Sequence, residues 1–127
     1  TAYRRQRQMC IRDREKGARR ALILAVSGAF HSELMSSAVN DLKKGIEEID
    51  FTKPSCPIYQ NFTGCPEQEP AKIKTNLLKQ LTGAVLWNQT INKMIDDGVK
   101  EFYEVGPGNT LQGLIRKTNR EVIVDRI

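Results

Sequence analysis

Apolar residues recur at three- and four-residue steps in several stretches of this chain and condense into short runs between them, an alternation that predicts helices interleaved with strands. Met35, Ala38, Val39, Leu42, Ile46 and Ile49 mark one face of a helix running to about Glu48. Gly45 weakens that helix without breaking it. A further helix is expected over about 71–81, and after a break at Gly83 the residues Trp87, Ile91, Met94 and Ile95 define another that stops at Gly98. Leu111, Leu114 and Ile115 face inward from a final helix, with Asn109 placed to cap it. Glu15 to Arg20 reads as the end of a helix, with Gly17 near the stop. The runs Ala21–Val26, Pro57–Phe62 and Lys100–Val105, together with Val122-Ile123-Val124, read as strands. Pro54, Pro57, Gly64, Pro66 and Pro70 punctuate the region around the second run.

Such an order implies an α/β fold whose strands join through right-handed βαβ crossovers into a largely parallel sheet. Ligands of these sheets bind beyond the carboxyl ends of the strands. His31, Asn61 and the turn Gly106-Pro107-Gly108 all fall at such ends.

Composition narrows the class. With 39% hydrophobic and 28% charged residues the chain matches ordinary globular proteins, and no apolar run approaches the roughly 20 residues that span a bilayer. The net charge of +5 is concentrated at one end. Residues 1–20 hold eight basic and two acidic side chains, which leaves the remainder nearly neutral. A nucleic-acid-binding domain spreads basic residues over a folded face, so a non-catalytic module with a basic nucleic-acid-binding arm is the weaker reading. Cys10, Cys56 and Cys65 are odd in number and form no C-x-x-C pair. Free thiols in a reducing cytoplasmic compartment are expected, with a Cys56 to Cys65 bridge as the alternative, and no metal ligand set is expected.

Residues 1–14 differ from all that follows. Arg and Gln dominate, no periodic apolar face is present and no cap marks a helix start. The stretch Arg5 to Arg14 resembles translated read-through of a sequencing adapter. A basic arm of non-native origin is therefore expected there, against the alternative of a disordered or helical native arm.

His31, the only histidine, lies in Ser27-Gly28-Ala29-Phe30-His31-Ser32 directly after a predicted strand. A loop histidine in that position is where α/β enzymes keep a general base, because its pKa allows it to take and return a proton near neutrality. A satisfied surface histidine is the plainer reading of the residue taken alone. Gly106-Pro107-Gly108 reads as a tight turn in preference to an anion-binding helix start. Trp87, on its apolar stripe, reads as core in preference to a stacking platform.

These residues together, with Leu34-Met35, Gln80-Leu81, Val85-x-Trp87 and Tyr103-Glu104-Val105-Gly106-Pro107-Gly108-x-x-Leu111-x-Gly113-Leu114, resemble the malonyl-CoA:acyl carrier protein transacylase family in order and spacing from about Glu15 onward. The resemblance implies the end of a ferredoxin-like small subdomain over 15–27 and the C-terminal part of an α/β-hydrolase-like acyltransferase domain over 28–127. It further implies a serine acyltransferase that moves malonyl from coenzyme A to the phosphopantetheine thiol of acyl carrier protein in fatty acid biosynthesis. An acyltransferase domain of a polyketide or multifunctional fatty acid synthase is the alternative. His31 falls on the family's catalytic histidine, and Gln80 on the residue whose main-chain carbonyl orients it. Phe30 and Asn61 fall at substrate-binding positions, Phe30 in a form resembling the malonyl-preferring loop; the alternatives are packing of Phe30 against the sheet and a structural hydrogen bond from Asn61. Coenzyme A and phosphopantetheine thioesters are then substrates, no cofactor is bound, and the full-length enzyme is expected to be monomeric.

No G-x-S-x-G occurs in the sequence. The nucleophile, the carboxylate-binding arginine and the oxyanion segment are thus expected upstream in a longer protein. The chain alone is expected to be inactive and poorly soluble.

Overall fold

Arg, Gln and Met are strong helix formers, and a run of them makes a helix without help from a periodic apolar face. In the computed structural model, which describes residues 2–17 and 30–127, this run forms helix α1, Ala2–Glu15. Arg12 and Arg14 in its last turn suit the negative end of the helix dipole. Gly17, at a φ of 89°, ends it by donating to the Arg14 carbonyl. The segment is thus helical although no cap or apolar face marks its start, and propensity accounts for it. The strand expected over Ala21–Val26 lies outside the described residues.

The chain divides into two compact units, Thr1–Phe30 and His31–Ile127. The second begins with a 3₁₀ helix, Glu33–Ala38, whose first turn is capped by the Ser32 side chain accepting from the Leu34 N–H. Helix α2, Val39–Glu47, continues it and buries Ile46. The single helix expected from about Met35 is therefore split, because a Ser-Ser pair at 36 and 37 competes for backbone bonds. Ser36 Oγ donates to the Glu33 carbonyl.

Strand β1 is only Ile58–Tyr59 and pairs antiparallel with β2, Pro66–Glu67. The longer strand expected over Pro57–Phe62 stops early, since the N–H groups of Thr63 and Gly64 both turn back to the Gln60 carbonyl. Gly64 is buried at a φ of 65°, a conformation that favours glycine. The register sets Tyr59 opposite Pro66, which leaves Cys56 and Cys65 at different levels of the hairpin, and both are free thiols.

Helix α3, Pro70–Gln80, starts on a proline that needs no N–H partner. The Glu67 carboxylate accepts from the N–H groups of Gln68 and Glu69 just before it. The bond from Glu69 is the main reason the Glu67 pKa is lowered. Helix α4, Trp87–Asp96, ends at Gly98 with a φ of 96°. Tyr59 Oη donates to Asp97 Oδ2 at 2.6 Å, and Lys93 donates to Oδ1 of the same carboxylate, so β1 is tied to the end of α4. The bond to Asp97 is the main cause that pushes the Tyr59 pKa up to about 12.

Strand β3, Glu101–Glu104, helix α5, Thr110–Thr118, and strand β4, Ile123–Arg126, form a βαβ unit with β3 and β4 parallel, Phe102 opposite Val124. Ile91 from α4 joins Phe102, Ile115 and Val124 in one buried cluster, with Trp87, Met94, Ile95, Val99 and Val122 against it. Alternation places Tyr103, Val105, Ile123 and Ile127 on the opposite side, where all four are exposed. Parallel strands usually have both faces covered.

The fold is α/β. Among the described residues it contains one parallel and one antiparallel strand pair. Among the described residues no helix is long and apolar enough to cross a membrane.

Candidate active site

A helix leaves its last carbonyls without partners, and those of α3 point past Gln80. His31 Nδ1 stands 2.7 Å from the Gln80 carbonyl oxygen, 49 residues away in sequence. A carbonyl can only accept, so Nδ1 carries a proton, and in the neutral ring Nε2 keeps its lone pair. The bond selects the tautomer in which the outer nitrogen is able to accept a proton. His31 itself is exposed and has a φ of 57°, making it the one non-glycine residue of positive φ among the described residues. That left-handed conformation costs about 1 kcal/mol.

The Gln80 end of α3 is itself fixed. The side chain of Gln60, buried just after β1, donates from Nε2 to the Ile73 carbonyl at 3.1 Å. Its Oε1 accepts from Asn76 Nδ2 at 2.9 Å. Asn76 precedes Gln80 by four residues and shares its side of the helix. The Asn61 carbonyl accepts from the Leu86 N–H at 2.8 Å. Phe62 lies so close to Gly83 that a Cβ there would stand 2.7 Å from the ring and 2.9 Å from the Lys79 carbonyl. The Lys79 ammonium sits 5.8 Å over the same ring.

Of the residues expected from the sequence, the structure brings His31 and Gln80 together in the expected contact. Asn61 is half-buried and contributes its main-chain carbonyl to the Leu86 bond. Phe30 is 65% exposed. Gln60 and Asn76 went unnoticed in the sequence, although an amide on the same helix face as Ile73 was a signal that a buried polar partner lay opposite.

The turn at Gly106-Pro107-Gly108 also resolves. Gly106 and Gly108 have φ of 129° and 98°, which a glycine adopts at least cost. Asn109 occupies the cap position of α5 but makes no side-chain capping bond. Glu104 performs that role from the end of β3, with Oε1 accepting from Leu111 and Oε2 from Gln112. A carboxylate satisfies the donors better than a neutral amide and already occupies the positive end of the dipole, so the start of α5 holds no vacant anion cradle. Trp87 packs on the core cluster as expected. Among the described residues no group of His, Cys, Asp and Glu is arranged to hold a metal.

A transacylase of Bacillus subtilis, the malonyl CoA-acyl carrier protein transacylase, is 42% identical to the chain over 109 residues, 86% of the chain and 34% of that protein. The crystal structure of the acyl-carrier-protein S-malonyltransferase from Bartonella henselae superposes with a TM-score of 0.88 at 34% identity, covering 98% of the chain and 40% of that protein. The chain is homologous to part of the malonyl-CoA:acyl carrier protein transacylases. A structure of a type II PKS acyl-carrier protein in complex with its malonyl-transacylase matches with a TM-score of 0.77 at 34% identity, over 89% of the chain and 36% of the matched one. No family model matches the sequence. The chain spans about a third of the length of the curated relatives it matches.

Proposed function

We propose that the chain is the histidine-bearing portion of a serine transacylase that moves malonyl from coenzyme A to the phosphopantetheine thiol of acyl carrier protein in cytoplasmic fatty acid biosynthesis. The observation that carries this reading is the His31 Nδ1 bond to the Gln80 carbonyl. It leaves Nε2 as the proton acceptor. In the first half-reaction Nε2 takes the proton of a serine hydroxyl supplied by the rest of the complete protein, while the serine oxygen attacks the thioester carbon. The same proton then passes to the departing coenzyme A thiolate. In the second half the carrier thiol gives its proton to Nε2, its sulfur attacks the acyl-serine, and the serine oxygen recovers the proton. A main-chain carbonyl replaces the more usual carboxylate as the orienting acceptor.

Residues 15–27 are assigned to the end of a ferredoxin-like subdomain and 28–127 to the C-terminal part of an α/β-hydrolase-like domain. The exposed face of β3 and β4 is assigned to contact with the remainder of that domain. Phe30 and Asn61 are each assigned a substrate-binding role. No cofactor is assigned, and the complete enzyme is assigned as a monomer that recognises acyl carrier protein. Residues 1–14 are assigned no role; resequencing of the source gene tests their non-native origin.

Grafting the 109 matching residues into the Bacillus subtilis relative tests the assignment. Malonyl transfer is expected to survive the graft and to fall at least roughly 10²–10⁴-fold on His31→Ala, the usual contribution of a general base. The isolated chain is expected to be inactive. A graft as active with alanine at 31 as with histidine overturns the role of His31.

A further inference from the structure

The three consecutive residues Gln60, Asn61 and Phe62 reach α3 and the segment after it with three different groups. Gln60 uses a buried side-chain amide, bonded both to the Ile73 carbonyl and to Asn76. Asn61 uses its main-chain carbonyl, bonded to the Leu86 N–H. Phe62 uses its ring, which occupies the space a side chain at residue 83 would need. These contacts bracket Gln80 on both sides in sequence. None of these contacts is to the Gln80 carbonyl itself, so they bear on its direction through the placement of the helix end as a whole.

The turn that presents the three groups is independently fixed. The Gln60 carbonyl accepts from both Thr63 and Gly64, and buried Gly64 packs against Thr90 and Gln89 of α4. A buried amide pair is costly unless satisfied, and here both amides are satisfied across two elements rather than within one. Their bonds are directional, so they define where α3 sits along and around its axis in a way apolar contacts do not.

We propose that residues 60–62, with Asn76 and Gly83, form a positioning clamp that aims the Gln80 carbonyl at His31 and thereby holds the imidazole in its Nδ1–H tautomer. The proposal rests on the general-base reading of His31. In the clamp these residues act on the ring only through Gln80; Asn61 takes part by its main-chain carbonyl, separately from the substrate-binding role proposed for it above. The exposed and left-handed His31 makes a stiff acceptor necessary: a carbonyl that drifted would leave the ring free to turn in water.

The single histidine makes the test direct, because every imidazole ¹⁵N signal of the chain belongs to residue 31. The full chain is labelled, and the tautomer of the neutral ring is read from the two nitrogen shifts. Two variants are compared with it. Gln60→Met with Asn76→Leu replaces the amide pair by apolar groups of similar volume, leaving no orphaned polar atom. Phe62→Leu removes the ring and keeps the site apolar, and decides the question if the first variant fails to fold. Amide shifts of β3 and β4 report whether the core is intact.

The expected result is a predominant Nδ1–H tautomer in the unaltered chain and, in the folded variants, loss of that predominance to the mixture of an untethered imidazole. Folded variants that keep the Nδ1–H tautomer overturn the clamp while leaving the base reading standing. An unaltered chain that already shows the untethered mixture overturns the base reading first and the clamp with it.

Discussion

Two helix ends in this chain are closed by side chains from elsewhere, with opposite polarity and different consequences. At the start of α5 the Glu104 carboxylate accepts from two orphan N–H groups and spends one oxygen on each. At the end of α3 the His31 ring donates to one orphan carbonyl with one nitrogen. The first cap joins β3 to the helix across the glycine turn and so fastens the βαβ unit. The second leaves Nε2 without a partner among the described residues, on an exposed ring. The requirement that terminal backbone groups find partners thus builds structure at one end and orients an imidazole at the other. What separates them is whether the capping group has an atom to spare.

Glu104→Ala is expected to give the largest loss of stability, about 2 kcal/mol, because two N–H groups lose a charged acceptor at once. A denaturant midpoint that barely moves would remove Glu104 from the comparison. Glu67→Gln tests the opposite end of α3 and is expected to give a smaller loss. The lowered pKa of Glu67 means that its contribution is present above the ordinary carboxylate range and disappears as pH falls through the lowered value. Stability of the variant should therefore converge with that of the unaltered chain in acid.

Tyr59→Phe sharpens the contrast at alkaline pH. The Tyr59 pKa is raised from 10.0 to about 12, so the neutral phenol is favoured in the folded chain. Its contribution is full below pH 10 and is lost as pH rises toward 12. Midpoints measured across that window should fall more steeply for the unaltered chain than for the phenylalanine variant. His31→Gly is expected to change stability least, within about 0.5 kcal/mol, since relief of the left-handed conformation offsets the lost hydrogen bond. A loss as large as that for Glu104→Ala would make His31 a structural cap as well.

The parts of the fold that were legible in the sequence are those with local signals. Helices α4 and α5 declare themselves by apolar spacing, and the stop at Gly98 and the turn at Gly106 to Gly108 by glycine. The His31 to Gln80 contact came from the family resemblance, since nothing in the spacing of a histidine and a carbonyl 49 residues apart reveals it. Strand β2 was not legible, because two residues that include a proline carry no period. The shortening of β1 was equally hidden: it depends on the Gln60 carbonyl turning to Thr63 and Gly64 instead of to a neighbouring strand. Asn109 was a reasonable cap by local rule, yet a carboxylate seven and eight residues from its targets outcompeted it. Helix α1 was left open between a helical and a disordered arm, because propensity without amphipathic spacing does not decide between them.

The most direct test of His31 as an oriented base is the ¹⁵N spectrum of the unaltered, uniformly labelled chain at a pH where the imidazole is neutral. The expected spectrum has one pyrrole-like signal from Nδ1 and one pyridine-like signal from Nε2, as the bond to the Gln80 carbonyl requires. Two signals at averaged positions, or the reverse assignment with the proton on Nε2, would contradict it.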